Sequence, residues 1–384
     1  MKTRNKYYDD GVNIEEESLF SQYAASICRA SYKNSPYVQI YDFSAGNFRG
    51  PRPFIIKGLP KRFSIEASTD GIGTKGVLID AAKSHIDAAY DIIAMTASDI
   101  TRFGGLPLVF VNVLDTVSIS KAGDKISQTY KKVLKGLAIV AKKSNVVVLK
   151  GETAQMDTCL GSEIHDSKTK LNWSGTMIGA YHKDKMIIGN TIAYGQVIIA
   201  LKENGFRCNG MSSVRKALAL KFGKKWWNNP KAKESVKEAA RPSVLYDTYI
   251  ATLHGWFAKD FKAEVKIHAV VHLSGGAIKE KLAKDILFSR GLSAVLDNLW
   301  NPPEIMRKCA EWRGFSDQDF YEAWNGGQGM LVIVNKKDVD YCIKKAKQFS
   351  IKAKVAGYIT KEKNPKVKIF SKLTKGKEVV YKKD

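Results

Sequence analysis

Cysteine is scarce in this chain of 384 residues. The five present, Cys28, Cys159, Cys208, Cys309 and Cys342, are odd in number, widely scattered and never spaced as C-x-x-C. That pattern argues against a structural zinc site or a disulfide framework and suits a reducing compartment. Long apolar runs are missing too: no stretch approaches the roughly 18 residues that a membrane-spanning helix requires. The opening Met1-Lys2-Thr3-Arg4-Asn5-Lys6 leads into Tyr7-Tyr8-Asp9-Asp10 rather than into the apolar core of a secretory signal. The expectation is a cytoplasmic protein without membrane attachment. Acidic residues are the third shortage, since 38 Asp and Glu face 62 Lys and Arg and leave a formal charge of +24. A nucleic-acid binder gathers such an excess into one stripe to neutralise phosphates. Here lysines occur in every segment, so the excess reads as a surface bias that attracts small anions rather than nucleic acid.

What is present describes a globular α/β or α+β protein. A 44% hydrophobic and 26% charged composition is ordinary for that class, and the length allows two domains. Helices are expected at about Ile14–Ala30, Ala88–Phe103, Ile126–Lys143, Ser212–Phe222, Ser243–Phe257 and Val339–Phe349, with a helical region running to Trp324. Strands are expected at Phe63–Ala67, Leu108–Val113, Val146–Leu149, Gly175–Ala180, Val197–Leu201, Val265–His272 and Met330–Val334. Closing strands with outward lysines follow near Val367–Phe370 and Val379–Tyr381. Residues 34–60 read as a long loop with one or two short strands. The domain boundary is placed between residues 186 and 187.

The organising stretch is Ser68-Thr69-Asp70-Gly71-Ile72-Gly73-Thr74-Lys75-Gly76. Its glycines permit a sharp turn close to a ligand, Asp70 offers oxygen to a hard cation, and Lys75 is a counter-charge for phosphate. It is neither a Walker loop nor a dinucleotide fingerprint. Ala97-Ser98-Asp99 lies on the helix that follows, and further stretches pair glycine with polar side chains: Leu149-Lys150-Gly151-Glu152-Thr153, Gly205-Phe206-Arg207-Cys208-Asn209-Gly210, His272-Leu273-Ser274-Gly275-Gly276 and Asn325–Met330. Each alone reads equally as a turn, cap or packing glycine. The helix after Gly210 also offers free N–H groups to a phosphate.

Taken in order, these stretches resemble the phosphoribosylformylglycinamidine cyclo-ligase (aminoimidazole ribonucleotide synthetase) family. Thr69–Lys75 is similar to its T-D-G-V-G-T-K, Asp91–Asp99 to its D-L-V-A-M-x-x-N-D, and Lys150–Ala154 to its G-G-E-T-A. Cys208–Arg215 is similar to S-N-G-x-S-L-V-R, Ile267–Ala277 to V-H-A-I-A-H-x-T-G-G-G, and Tyr8–Ile14 to the opening Y-x-x-A-G-V-D-I. The resemblance covers about residues 8 to 360. It implies an α/β domain over 1–186 that binds ATP and metal and forms, as a homodimer, a shared barrel from two N-terminal sheets. A mixed-sheet domain with helices would span 187–384. It implies ATP and Mg2+ as cofactors and formylglycinamidine ribonucleotide as substrate. ATP phosphorylates the amide oxygen, a substrate nitrogen then attacks that carbon, and the ring closes with loss of phosphate. Positioning and charge neutralisation carry such chemistry.

By the same resemblance, Asp70, Asp99 and Glu152 are metal ligands, and Asp70, Lys75 and His272 are catalytic. Thr69, Asp70, Gly71, Gly73, Thr74, Lys75, Asp99 and Asn209 hold the nucleotide, while Arg207, Asn209, Gly210, Ser274 and Gly275 meet the substrate. His268 is expected to be structural. The chain departs from the pattern at Ser98 (Asn in the family), Lys150 (Gly), Arg207 (often His) and Cys208 (Ser). The family's glycine-rich loop is represented only by the thinner Ser44–Pro51. Two other readings stay open: another ATP-using member of the superfamily, or a catalytically silent nucleotide-binding scaffold.

Overall fold

The computed structural model describes residues 14–120, 123–274 and 276–383; the Tyr8–Asn13 part of the opening motif and Gly275 lie outside them. The chain forms two units. One comprises the chain up to Ala97 together with Pro107–Ala180, and the other Ser98–Leu106 together with Tyr181 onward.

The first unit is built on α1 (Ile14–Ser31), β1 (Val38–Ile40), β2 (Phe54–Ile56), β3 (Phe63–Gly71), α2 (Lys75–Ala82), α3 (Ala88–Thr101, whose last turn enters the second unit), β4 (Leu106–Thr116), α4 (Lys125–Lys143), β5 (Val147–Gln155) and β6 (Leu171–His182). Strands β3, β6, β4 and β5 form a sheet in that order, with β4 and β5 parallel. Helix α4 has the apolar spacing of a core-facing helix: Val133, Leu137, Val140 and Ala141 are buried, and Asp124 caps its start by accepting from the Ser127 N–H at 2.8 Å. Helix α1 is tied to β5 through the Ser31 hydroxyl, which accepts from the Val148 N–H at 2.8 Å. Elsewhere the sheet is open to solvent, with Ile65 46% and Val113 41% exposed.

The second unit continues with β7 (Val197–Lys202), α5 (Met211–Phe222), α6 (Lys233–Ala239), α7 (Asp247–His254), β8 (Ile267–His272), a π-helix at Ile278–Leu287, β9 (Ser293–Leu296), α8 (Glu304–Arg313), α9 (Asp317–Ala323), β10 (Gln328–Val334), α10 (Val339–Gln348), β11 (Ala353–Thr360), β12 (Lys366–Phe370) and β13 (Glu378–Lys382). Its seven strands run in the order β13-β12-β9-β11-β7-β10-β8. Strand β10 is buried throughout and pairs antiparallel with β7 and β8, so Gln328 faces Lys202 and Met330 faces His272. The ends of β7 and β8 and the start of β10 therefore share one end of the sheet.

Several elements differ from the sequence reading. Asp70 lies in the last turn-ward residues of β3 rather than in a tight turn, which falls at Gly73-Thr74, and helix α2 follows at once. The helix expected over Ser243–Phe257 is only Asp247–His254, because Ser243 to Tyr246 are drawn into contacts with Glu203. The π-helix and β9 were not anticipated.

Gly136 on α4 is required by close packing, since a Cβ there would lie 2.0 Å from the Ile86 carbonyl oxygen. Although alanine favours helix by about 1 kcal/mol, Gly136→Ala is expected to destabilise the protein by roughly 1–3 kcal/mol through overpacking. Urea denaturation reads the difference; unchanged or greater stability would contradict the packing assignment.

Candidate functional site

In the second unit, four of the sequence stretches meet at the common end of β7, β8 and β10. The loop after β7 brings Arg207, Asn209 and Gly210 to the start of α5. Gly210 has φ +67°, and a Cβ there would lie 2.5 Å from the Trp324 ring, so glycine is needed on both counts. Trp324 donates its Nε1–H to the Gly210 carbonyl at 3.2 Å, Asn325 Nδ2 donates to the Gly205 carbonyl at 3.0 Å, and the Glu203 N–H donates to the Gly327 carbonyl at 2.9 Å. The Asn325–Met330 stretch thus acts as the buttress of the loop. On the same end, His272 closes β8 with its Nδ1 3.9 Å from Asp99 Oδ1, too long for a hydrogen bond. Burial, reinforced by the Arg207 and Lys281 charges and opposed by Asp99, holds the His272 imidazole down at about 3, so it is neutral at physiological pH. Lys281 donates to the Ser274 hydroxyl at 3.0 Å and to the His272 carbonyl at 3.4 Å. Asn209 Nδ2 is shielded and has no hydrogen-bond partner among the described residues.

Arg207 is wholly buried. Its Nη1 donates to Glu203 Oε2 at 3.0 Å and to the Val244 carbonyl at 3.2 Å, and its Nη2 donates to the Ser98 hydroxyl at 3.4 Å. His268, in contrast, has both ring nitrogens engaged, with Thr191 Oγ1 at 2.8 Å and Asn335 Oδ1 at 3.1 Å. That is a structural histidine.

In the first unit, Thr69 Oγ1 lies 2.8 Å from Thr176 Oγ1, and the Gly71 N–H donates to Asp70 Oδ1 at 2.6 Å. Gly73, with φ +53°, and Thr74 make the turn into α2. The resemblance puts Lys75 against a phosphate, but the structure buries it completely, with Nζ bonded to Asp91 Oδ1 at 2.7 Å. Glu152 is exposed on β5, paired with Val113 of β4, and Lys150 is exposed two residues before it. Asp70 and Glu152 occupy opposite edge strands with β6 and β4 between them. At a strand spacing of about 4.8 Å, their backbones are on the order of 14 Å apart. Among the described residues, no group of three or more potential ligands forms a metal cage.

A cavity of about 450 Å³ lies beside Glu152, between α1, β5 and the Phe48–Arg52 loop. The residues that sequence reading did not single out are Glu203, Asp247 and Lys281. Lys-Glu-Asn after a strand reads as a solvated turn, and only the long-range contacts reveal Glu203 as a buried carboxylate.

The families described as AIR synthase related protein, N-terminal domain, and AIR synthase related protein, C-terminal domain, match residues 57–181 and 193–370. A phosphoribosylformylglycinamidine cyclo-ligase of Prochlorococcus marinus is 30% identical over 276 residues, spanning 71% of this chain and 74% of that one. One from Caldicellulosiruptor bescii is 26% identical over 365 residues, spanning 92% and 97%. Among solved structures, thiamine-monophosphate kinase from Stenotrophomonas maltophilia has a TM-score of 0.58 at 15% identity, covering 90% of this chain and 95% of that one. The E. coli hydrogenase maturation protein HypE has 0.54 at 14%, covering 94% and 96%. At such identities the likeness to solved structures concerns the fold.

Asp247, beneath this site, is fully buried, and burial pushes its carboxyl up to about 6 against the pull of Arg207, Thr101 and Ser98. A carboxyl raised by folding contributes stability below the unfolded value near 4 and loses it as pH rises through about 6. Asp247→Asn should therefore gain on the parent protein by on the order of 3 kcal/mol between pH 4 and pH 6, with no further gain above. Thermal unfolding across that range reads it; a difference independent of pH would contradict the assignment.

Proposed function

The chain belongs to the AIR synthase related family, among the phosphoribosylformylglycinamidine cyclo-ligases, and from that premise we propose that it closes the imidazole ring of 5-aminoimidazole ribonucleotide. It is an ATP-dependent ligase of purine biosynthesis that consumes formylglycinamidine ribonucleotide and forms a carbon–nitrogen bond. The observation that carries the reading is the gathering of Asp99, Asn209, Gly210, His272 and Ser274 at one end of the second unit's sheet, within a chain matched along most of its length by the two family domains.

The reaction needs an amide oxygen turned into a leaving group. Phosphoryl transfer from ATP does this, and attack by a substrate nitrogen then expels phosphate. In the proposed arrangement Thr69, Asp70, Gly71, Gly73 and Thr74 hold the nucleotide phosphates. Lys75 acts from within, because its bond to Asp91 fixes the turn that presents those groups. Asn209 and the N–H groups opening α5 receive a phosphate of nucleotide or substrate. Neutral His272, too weakly basic to take up a proton near neutral pH, orients the substrate through a ring nitrogen, and Ser274, oriented by Lys281, supplies a hydroxyl to the substrate; Gly275 belongs to the same proposed contact. Magnesium carried on phosphates needs only one or two protein carboxylates, so Asp70, Asp99 and exposed Glu152 each fit as an oxygen donor, with Asp70 and Glu152 too far apart to share one ion. When bound, it neutralises phosphate charge. A homodimer accounts for the solvent-open sheet with Ile65 and Val113 on it. No helix among the described residues is long and apolar enough to cross a membrane, in keeping with a cytoplasmic enzyme.

Lys150 beside Glu152 favours a second reading, in which the site binds nucleotide without this chemistry. The deciding experiment supplies ATP, magnesium and formylglycinamidine ribonucleotide and follows ADP and the imidazole product. Equal yields of both are expected. ADP without the imidazole points to another ATP-using activity, and binding without either points to a scaffold. Asp70→Asn should lower turnover by about 100-fold with unchanged Tm; near-normal turnover would remove Asp70 from the site.

A further inference from the structure

The chain carries a buried ion pair that the proposed chemistry does not use. Glu203 and Arg207 are both without exposed surface. Glu203 Oε1 accepts from the Asn204 N–H at 2.9 Å and the Val244 N–H at 3.2 Å, while Oε2 accepts from Arg207 and from the Tyr246 hydroxyl at 3.1 Å. The Arg207 guanidinium lies 5.6 Å from the Tyr246 ring centre and reaches Ser98, the neighbour of Asp99 on α3. Its backbone is held at φ +57°, in the left-handed region that a long side chain adopts only when its surroundings dictate it. Asn209 follows two residues later.

We propose that Arg207 is a positioning residue, with Glu203 as its anchor. It fixes the strained loop that carries Asn209 against the helical turn that carries Asp99, and it does not itself touch the substrate. A buried ion pair is a poor source of net stability, because desolvation offsets most of its attraction and an apolar pair of similar size serves as well. Its distinct property is direction: one planar cation bonds a carboxylate, a carbonyl and a hydroxyl on three separate segments. Positioning of this kind governs turnover steeply, since small displacements of reacting groups cost large factors in rate.

The inference rests on the reading that Asp99 and Asn209 belong to the active site, and the test separates the two. Arg207→Lys keeps a charge for Glu203 but not the fork to Ser98 and Val244. It should keep Tm within a few degrees while lowering kcat at least about tenfold with KM within about threefold. Ser98→Ala, which removes the hydroxyl that receives the guanidinium, should lower kcat less, and the double variant should be no worse than Arg207→Lys alone. Losses that multiply in the double variant, or a kcat of Arg207→Lys near the parent value, would overturn the proposal. Glu203→Gln should reproduce the kcat loss; if it unfolds, Arg207→Lys carries the test. Asp99→Asn with parental turnover would instead overturn the underlying site reading, whatever Arg207→Lys does.

Discussion

A cation removed from water destabilises a fold by several kcal/mol unless a partner meets it, and in each unit of this protein a cation with no exposed surface stands among the described residues. Lys75 is bonded to Asp91 in the first unit and Arg207 to Glu203 in the second. In both, the charge sits just behind a loop that, in the proposed site, offers backbone N–H groups or amides to a ligand. Gly73-Thr74 runs into α2 above Lys75, and Asn209-Gly210 runs into α5 beyond Arg207. The loops themselves are rich in glycine and would be pliant if left alone. The buried pairs give them a single shape; Gly73 and Gly210 take their positive φ freely, whereas that of Arg207 is tolerable only because the surroundings enforce it.

The second unit shows how tightly such a loop is framed. The Gly205–Gly210 segment is held from one side by Trp324 and Asn325 and from the other by the guanidinium within it. Phe206 packs edge-on against Trp324 at 5.1 Å between ring centres. Stretches more than a hundred residues apart in the chain thus form one polar end to β7, β8 and β10, strands that are buried along nearly their full length.

Much of this was legible beforehand where local chemistry decides the outcome. The apolar stripe of α4, the apolar runs of β7 and β10, and the glycines that open or close helices all declare themselves in short windows. Helix α2 did not, because Val77, Leu78 and Ile79 form a continuous apolar run beside glycine that has no helical period to detect. The π-helix was hidden for a related reason: Ile278, Leu282 and Leu287 are spaced for a wider turn than an α-helix makes. In the candidate site, Asp99 was picked out by the likeness of Asp91–Asp99 to a family motif and His272 by its company with glycine, and the two fall together at 3.9 Å. Glu203, Asp247 and the buried setting of Lys75 and Arg207 were not legible. Sequence registers a charge, while burial and partner depend on segments folded against it from far along the chain.

The central chemical claim is that ATP turns the substrate's amide oxygen into the leaving group. Formylglycinamidine ribonucleotide labelled with 18O at that oxygen, turned over in ordinary water with unlabelled ATP, tests it directly through the mass of the phosphate released. The account predicts one 18O atom in each inorganic phosphate formed alongside the imidazole. Unlabelled phosphate with the label lost to water would contradict it, because ring closure would then proceed without phosphorylation of the amide.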